Sequence, residues 1–272
     1  MGKSIEEILQ LAEAGLLFSK HFHSTQKVEV KPSQLMPFID YTTLKATDSV
    51  ESVYNFAQEA IKKAPEVAAL CVYPNFAEVV SGVLELSSIR TATVATAFPE
   101  GQTFLEVKLL ETQLAVACGA EEIDMVIHRG MLLSKNYQGV LSEIREVKKA
   151  CGHAHLKVII ETCDLENEIQ IAIASALAMF GGADFIKTST GKGAHGATLN
   201  HAQIMLSCIL KFKELTGRNI GFKAAGGIST FEEAEGFYQL TLSILGEEWQ
   251  TPAYFRLGAS RLLDVLLQDE KQ

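Results

Sequence analysis

Phe38-Ile39-Asp40-Tyr41-Thr42-Thr43-Leu44 is the stretch on which the fold turns. It reads as a short strand, Phe38–Tyr41, running into hydroxyl-bearing residues with no glycine behind it. An open dinucleotide-binding sheet needs G-x-G-x-x-G after its first strand, where glycines let the backbone approach a pyrophosphate. Outward from this segment, strand-like runs recur at Ala68–Tyr73, Thr91–Ala97, Glu122–Ile127, Leu156–Glu161, Asp184–Ser189, Ile220–Ala225 and Phe255–Gly258. Helical periodicity fills the intervals at about 48–63, 76–87, 103–118, 136–150, 166–180, 200–216 and 231–246, with a last helix from 260. Ser229-Thr230-Phe231-Glu232 reads as a capping box opening the seventh of these. Eight strand-helix units, repeating roughly every 30 residues, imply a parallel α/β array. The expectation is a single (β/α)8 TIM barrel over residues 37–272, close to the roughly 250 residues typical of that fold.

Residues 1–36 precede the barrel as a helical extension, in which Ile5, Ile8, Leu9, Ala12, Leu16 and Leu17 recur at helical spacing. Its polar face is not basic, so it reads as a helix packed on the barrel rather than a membrane anchor. Met1-Gly2-Lys3-Ser4-Ile5-Glu6-Glu7 is too acidic for a transit peptide, and Glu6 stands where a myristoylation signal has Ser or Thr. The chain of 272 residues carries 24 Lys+Arg against 33 Asp+Glu, a formal net charge of −9. That acidity argues against nucleic acid and anionic membranes as partners, and no apolar run is long enough to span a bilayer. Cys71, Cys118, Cys151, Cys163 and Cys208 are scattered, with no C-x-x-C pair and no signal sequence before them. They read as reduced core thiols of a soluble, cytoplasmic protein.

Buried parallel strands are built from Val, Ile, Leu and Ala, so a charge inside one is informative. Four consecutive strands carry such charges: Asp124 in the fourth, Lys157 and Glu161 in the fifth, Lys187 in the sixth and Lys223 in the seventh. Asp124, Lys157, Lys187 and Lys223 are spaced roughly 30 to 36 residues apart, matching the repeat of the strand-helix unit. They should therefore stand at similar heights on neighbouring strands and converge at the barrel mouth. One reading is structural, each lysine pairing with a carboxylate such as Asp124 or Glu161. The other is chemical. Adjacent ammonium groups disfavour each other's protonated form, and a neutral lysine amine is the nucleophile that forms a Schiff base with a carbonyl.

The segments after these strands suit an anion. Thr190-Gly191-Lys192, Ala225-Gly226-Gly227-Ile228-Ser229-Thr230 and Gly258-Ala259-Ser260 supply small residues and a helix N-terminus after strands six, seven and eight. Backbone N–H groups exposed there favour phosphate, and barrels often bind phosphate at the loops after strands seven and eight. Each glycine pair alone is equally a plain tight turn. Together, beside lysines, they point to a phosphorylated small-molecule substrate. For metal ions the close pairs are His21-x-His23 and His153-x-His155, neither at the C-terminal end of an expected strand, so no metal site is expected. His128 and His195, near strand ends, read as substrate-proximal or structural residues.

With these residues assembled, the sequence resembles the deoxyribose-phosphate aldolase family from about Phe38 to Leu267. The resemblance rests on Asp40-Tyr41-Thr42-Thr43-Leu44, Leu70-Cys71-Val72-Tyr73-Pro74, Ala97-Phe98-Pro99-Glu100-Gly101 and Lys157-Val158-Ile159-Ile160-Glu161-Thr162. Its most specific parts are Gly182-Ala183-Asp184-Phe185-Ile186-Lys187-Thr188-Ser189-Thr190-Gly191-Lys192 and Gly221-Phe222-Lys223-Ala224-Ala225-Gly226-Gly227. It implies a cofactor-free, Schiff-base aldolase of deoxyribonucleoside catabolism that reversibly splits 2-deoxy-D-ribose 5-phosphate into acetaldehyde and D-glyceraldehyde 3-phosphate. By motif position, Lys187 would form the Schiff base. Lys223 would keep it neutral and join proton transfer, with Asp124 as its acid/base partner. Gly191, Lys192, Gly226, Gly227, Gly258 and Ser260 would hold the phosphate, and Asp40, Thr42 and Cys71 would line the pocket; for Cys71 a packing role is an equal reading.

Two departures stand out. Family members often carry a second small hydroxyl residue after Gly-Ala-Ser, where this chain has Arg261, and some end in a tyrosine-bearing tail, where this chain ends Asp269-Glu270-Lys271-Gln272. Another Schiff-base aldolase acting on a phosphorylated sugar remains an alternative, as does a non-catalytic phosphosugar-binding barrel. The oligomeric state is not given by the sequence. The resemblance is compatible with a homodimer built through the N-terminal helix or the outer barrel helices.

Overall fold

The computed structural model describes residues 3–24 and 27–270. Met1, Gly2, Thr25, Gln26, Lys271 and Gln272 lie outside the described residues, and with them parts of the lipidation and tail readings. Helix α1 (Ile5–His21) and a single turn, α2 (Pro32–Leu35), precede the first strand. Strand and helix then alternate: β1 (Ile39–Thr42), α3 (Val50–Lys63), β2 (Ala69–Val72), α4 (Ala77–Leu84), β3 (Arg90–Ala95), α5 (Leu105–Ala117) and β4 (Glu122–Val126). After α6 (Arg129–Leu133) and α7 (Tyr137–Ala150) come β5 (His155–Ile159), α8 (Glu168–Gly181), β6 (Phe185–Lys187) and α9 (Leu199–Thr216). The chain closes with β7 (Gly221–Ala225), α10 (Phe231–Leu245), β8 (Phe255–Ala259) and α11 (Leu262–Asp269). All eight strands are parallel, and β8 pairs back onto β1, so the sheet is a closed barrel as the repeat predicted. No helix among the described residues is long and apolar enough to cross a membrane.

Differences from the sequence reading have local causes. Strand β5 stops at Ile159 instead of Glu161, because Glu161 adopts φ 50° and leaves the extended conformation. The capping box of α10 is Thr230 with Glu233, one residue later than expected. Thr230 Oγ1 accepts from Glu233 N at 3.2 Å, while Ser229 lies before the cap and its N donates to Glu233 Oε2 at 2.7 Å. Helix α6 was not anticipated; at five residues it has too little periodicity to read, but His128 caps it by accepting from Met131 N at 3.2 Å. All five cysteines are free thiols; Cys71, Cys151 and Cys208 are buried, while Cys118 and Cys163 are only partly so.

Helix α8 reads Ile171-Ala172-Ile173-Ala174-Ser175-Ala176-Leu177-Ala178-Met179 and buries every one of these residues. A helix apolar on all sides needs cover on both, and α1 supplies the outer layer by lying across α8 and α9. Its buried stripe is Ile8, Leu11, Ala12, Gly15 and Ser19, whereas Leu17, counted in the expected stripe, is 61% exposed. A Ser4–Glu7 capping box starts this helix and is worth on the order of 1 kcal/mol. Gly15 meets α9 so closely that a Cβ there would lie 2.6 Å from Cys208 Sγ and 3.0 Å from its Cα. Gly15→Val is therefore expected to cost about 1–3 kcal/mol by overpacking. Thermal unfolding should show the melting temperature several degrees lower, with the far-UV circular dichroism of the folded protein unchanged; an unaltered melting temperature would refute tight docking of α1.

Candidate active site

The barrel interior has two halves. Around β2 and β3 it is small and apolar, with Ala69, Cys71, Ala92 and Val94 packed under Leu44. The rest is ionic. Strand alternation turns Glu122 and Asp124 of β4 to the same side, where they meet Lys157 of β5, Lys187 of β6, Lys223 of β7, Arg256 of β8 and Asp40 of β1. All seven are buried. Asp124 is their hub: Oδ1 accepts from Lys157 Nζ at 2.9 Å, and Oδ2 accepts from both Lys187 Nζ and Lys223 Nζ at 2.7 Å. Lys157 Nζ also lies 2.6 Å from Glu122 Oε2, and Lys223 Nζ lies 2.5 Å from Asp40 Oδ2. Arg256 completes the cluster, with Nη1 2.6 Å from Asp40 Oδ1 and Nη2 2.8 Å from Glu122 Oε1.

Even spacing along the chain predicted even heights, and the register corrects this. Asp124 is level with Lys157, and Lys187 with Lys223, but Lys187 faces Ile159, two residues beyond Lys157. Closing a barrel staggers its strands, so Lys157 stands deeper than Lys187 and reaches Asp124 from the adjacent strand at its own level. Glu161, the other expected lysine partner, makes no ion pair among the described residues. Its Oε2 accepts from Thr190 N at 3.0 Å and from Thr190 Oγ1, holding the segment after β6.

Four bases and three carboxylates cannot all be charged in a dry interior without burying net positive charge, which is costly. Burial alone would raise the Asp124 carboxyl, but Lys157, Lys187 and Lys223 hold it well below its usual range. Asp40 and Glu122 are likewise lowered, their cations outweighing burial. Burial is the largest single influence on Lys157 and Lys223 and would lower both, but the carboxylates together outweigh it and push both up, Asp124 contributing most among them. Lys187 alone among the bases moves down: burial is the main cause and Lys223 adds to it, against the pull of Asp124. Lys187 is thus the one base of the cluster that holds its proton less firmly than an ordinary lysine.

Above Lys187 opens a cleft of about 320 Å³. Of the residues expected to hold phosphate, Gly191, Lys192, Gly226, Gly227, Gly258 and Ser260 all line it, with Thr42 and Lys187. Lys45 and Arg261 line it too, and no carboxylate does among the described residues. Two of the glycines are held by close approach: a Cβ on Gly226 would lie 2.9 Å from Gly196 Cα, and one on Gly258 would lie 3.0 Å from Lys223 Cε. Lys192 Nζ donates to Leu44 O at 2.7 Å, tying the segment after β6 to the one after β1. Asp40 and Cys71 do not line the cleft. Asp40 belongs to the ionic cluster, and Cys71 sits in the apolar half, where burial pushes its thiol up. His195 stacks obliquely near His201, with ring centroids 6.1 Å apart. No group of three or more potential ligands among the described residues is placed to hold a metal ion.

Glu122 and Arg256 escaped the sequence reading, although both left a signal. Glu122 stands two residues before Asp124 and must share its face. Arg256 is a charge inside the strand Phe255-Arg256-Leu257-Gly258, the same anomaly that exposed the lysines.

A family model described as DeoC/LacD family aldolase matches residues 26–241. The deoxyribose-phosphate aldolases of Mus musculus and Homo sapiens are 43% and 42% identical to the chain over 244 residues, covering 83% of it and 76% of each relative. A tetrameric deoxyribose phosphate aldolase from Aeropyrum pernix superposes with a TM-score of 0.72 at 26% identity, covering 99% of both chains. The sequence match spans the strands that carry Asp124, Lys187 and Lys223 as well as the scaffold around them, and the chain belongs to the DeoC/LacD family of aldolases.

Proposed function

We propose that this aldolase reversibly cleaves 2-deoxy-D-ribose 5-phosphate to acetaldehyde and D-glyceraldehyde 3-phosphate, with Lys187 as the Schiff-base residue. One observation carries the reading: Lys187 is the single base of the buried cluster whose basicity is lowered, and it faces a cleft lined by glycines and cations. The neutral amine adds to the aldehyde carbon C1 of the open-chain sugar; the carbinolamine hydroxyl then leaves as water on taking up a proton, relayed by Lys223 and Asp124, and an iminium ion remains. Removal of the proton on the C3 hydroxyl lets the C2–C3 bond break. Its electron pair enters the iminium system as an enamine, and C3 leaves as the aldehyde of glyceraldehyde 3-phosphate. Protonation of the enamine at C2 and hydrolysis release acetaldehyde and return the free amine.

Asp124, ionised beside the Lys187 nitrogen, and Lys223, protonated on the same oxygen, are suited to moving these protons. Lys223 also disfavours a proton on Lys187. Gly191, Gly226, Gly227, Gly258 and Ser260 present the backbone to the 5-phosphate, and Lys192 draws the loop closed over it. The proposed setting is deoxyribonucleoside breakdown in the cytoplasm, a reading supported by five unpaired thiols. A homodimer is the proposed assembly, and residues 1–36 are proposed as a helical extension to the barrel at 37–272.

Three outcomes are expected. Borohydride added with acetaldehyde should trap a covalent adduct on Lys187, read by peptide mass; an adduct elsewhere, or none on folded protein, rules the mechanism out. The rate of trapping should rise with pH, since only the neutral amine reacts, with a midpoint below the 10.5 of an ordinary lysine. Lys223→Leu should lower kcat by roughly 100-fold or more while binding of inorganic phosphate, followed by calorimetry, is nearly kept. Turnover close to wild type would contradict the role given to Lys223.

A further inference from the structure

We propose that Arg256 is a positioning residue for Lys187: by occupying Asp40 and Glu122 it compels Lys157 and Lys223 to share Asp124, leaving Lys187 short of counter-charge. The inference rests on the reading of Lys187 as the reacting amine, and it assigns a task to a buried cation that this reading leaves unused. Arg256 never approaches the cleft, and its influence passes through the carboxylates.

The geometry is a chain of shared partners. Arg256 holds Asp40 Oδ1 and both oxygens of Glu122, the second contact being Nη1 to Oε2 at 3.1 Å. What remains for Lys223 and Lys157 is Asp40 Oδ2 and the already shared Glu122 Oε2. Both therefore turn also to Asp124, where they compete with Lys187. Every strand facing Lys187 fits this count. Strand β1 brings Asp40; β2 brings Cys71; β4 brings Glu122 and Asp124; β5, β7 and β8 bring Lys157, Lys223 and Arg256; and β3 turns Ala92 and Val94 inward without charge. From outside, Arg90 comes within 3.8 Å of Glu122, but its side chain is 43% exposed, so solvent screens it.

Without Arg256 the cluster would become three bases and three carboxylates, one each. Lys223 could settle on Asp40 and Lys157 on Glu122, freeing Asp124 for Lys187 and fixing a proton there. An arginine suits the task because its planar fork bridges two carboxylates and stays charged in proteins. The guanidinium is held in place by Nε donating to Pro252 O and by the Phe185 ring, 5.5 Å from its carbon.

The test is competitive acetylation of full-length protein with acetic anhydride across pH. The Lys187 peptide is quantified by mass, which reads the titration of that amine without any substrate. Arg256→Met should raise the Lys187 midpoint by at least one pH unit, with a matching roughly tenfold fall in borohydride trapping at neutral pH that recovers in alkali. Arg256→Lys should stay near wild type. Glu122→Gln should move the midpoint down, because Lys157 then leans harder on Asp124. An unchanged midpoint in folded Arg256→Met, or a loss equal at every pH, overturns the proposal. If Arg256→Met does not fold, Glu122→Gln decides it, and an unchanged or raised midpoint there is fatal. Failure of wild-type protein to trap acetaldehyde would instead sink the Schiff-base reading, while the acetylation midpoints still judge Arg256.

Discussion

Asp124 Oδ2 accepts from two lysines at once while Oδ1 accepts from a third, and this crowding of cations on one carboxylate governs the rest of the site. A carboxylate bonded to a single lysine would hold that lysine's proton firmly. Shared three ways among buried side chains, it cannot, and the lysine with no second carboxylate gives way first. Lys157 has Glu122 and Lys223 has Asp40; Lys187 has no such partner among the described residues. Its position at the cleft therefore coincides with its weakness as a base, and both follow from where the strands put it.

The barrel makes such crowding sterically feasible. Seven large charged side chains need space inside a closed sheet, and small residues on the neighbouring positions provide it. A Cβ on Gly221 would strike the Phe185 ring at 2.3 Å, and one on Gly258 would press on Lys223. The apolar half, built on Ala69, Ala92 and Val94, is correspondingly slim. Arg256 bridges Asp40 and Glu122 within this space, and Asp124 gathers Lys157, Lys187 and Lys223. The helices play no part in this selection. Their contribution is the shell between strands and solvent, including α1 across the doubly apolar α8.

How much of this was legible in the sequence depended on whether a signal was periodic or cooperative. Eight repeats of strand and helix are periodic, and the closed barrel follows from their count. Lys187, Lys223 and Asp124 were legible because a charge in a buried strand is anomalous wherever it occurs. Glu161 is equally anomalous, yet its backbone turns to positive φ and its carboxylate goes to Thr190. A dihedral angle of that kind has no signature in residue order. The heights of Lys157 and Lys187 were misjudged because shear is a property of the closed sheet, not of any one strand. Asp40 was placed at the pocket wall on resemblance, whereas its binding to Arg256 and Lys223 depends on two strands more than 180 residues away in the chain.

The same cluster also couples function to stability, with opposite signs. Asp40, Glu122 and Asp124 have carboxyls lowered by their cations, so the unfolded chain binds more protons than the native one as acid is added. Their contribution is present above the ordinary carboxylate range and is lost as pH falls through their lowered values. Lys187 behaves in reverse. Its lowered basicity means that unfolding lets it take up a proton at pH values where the native amine is neutral. That difference opposes folding through the neutral range and fades only as pH rises past the value of a free lysine. Lys187 is thus a local defect in stability by the same electrostatics that lower its basicity, and the surrounding ion pairs are what allow the folded barrel to retain it.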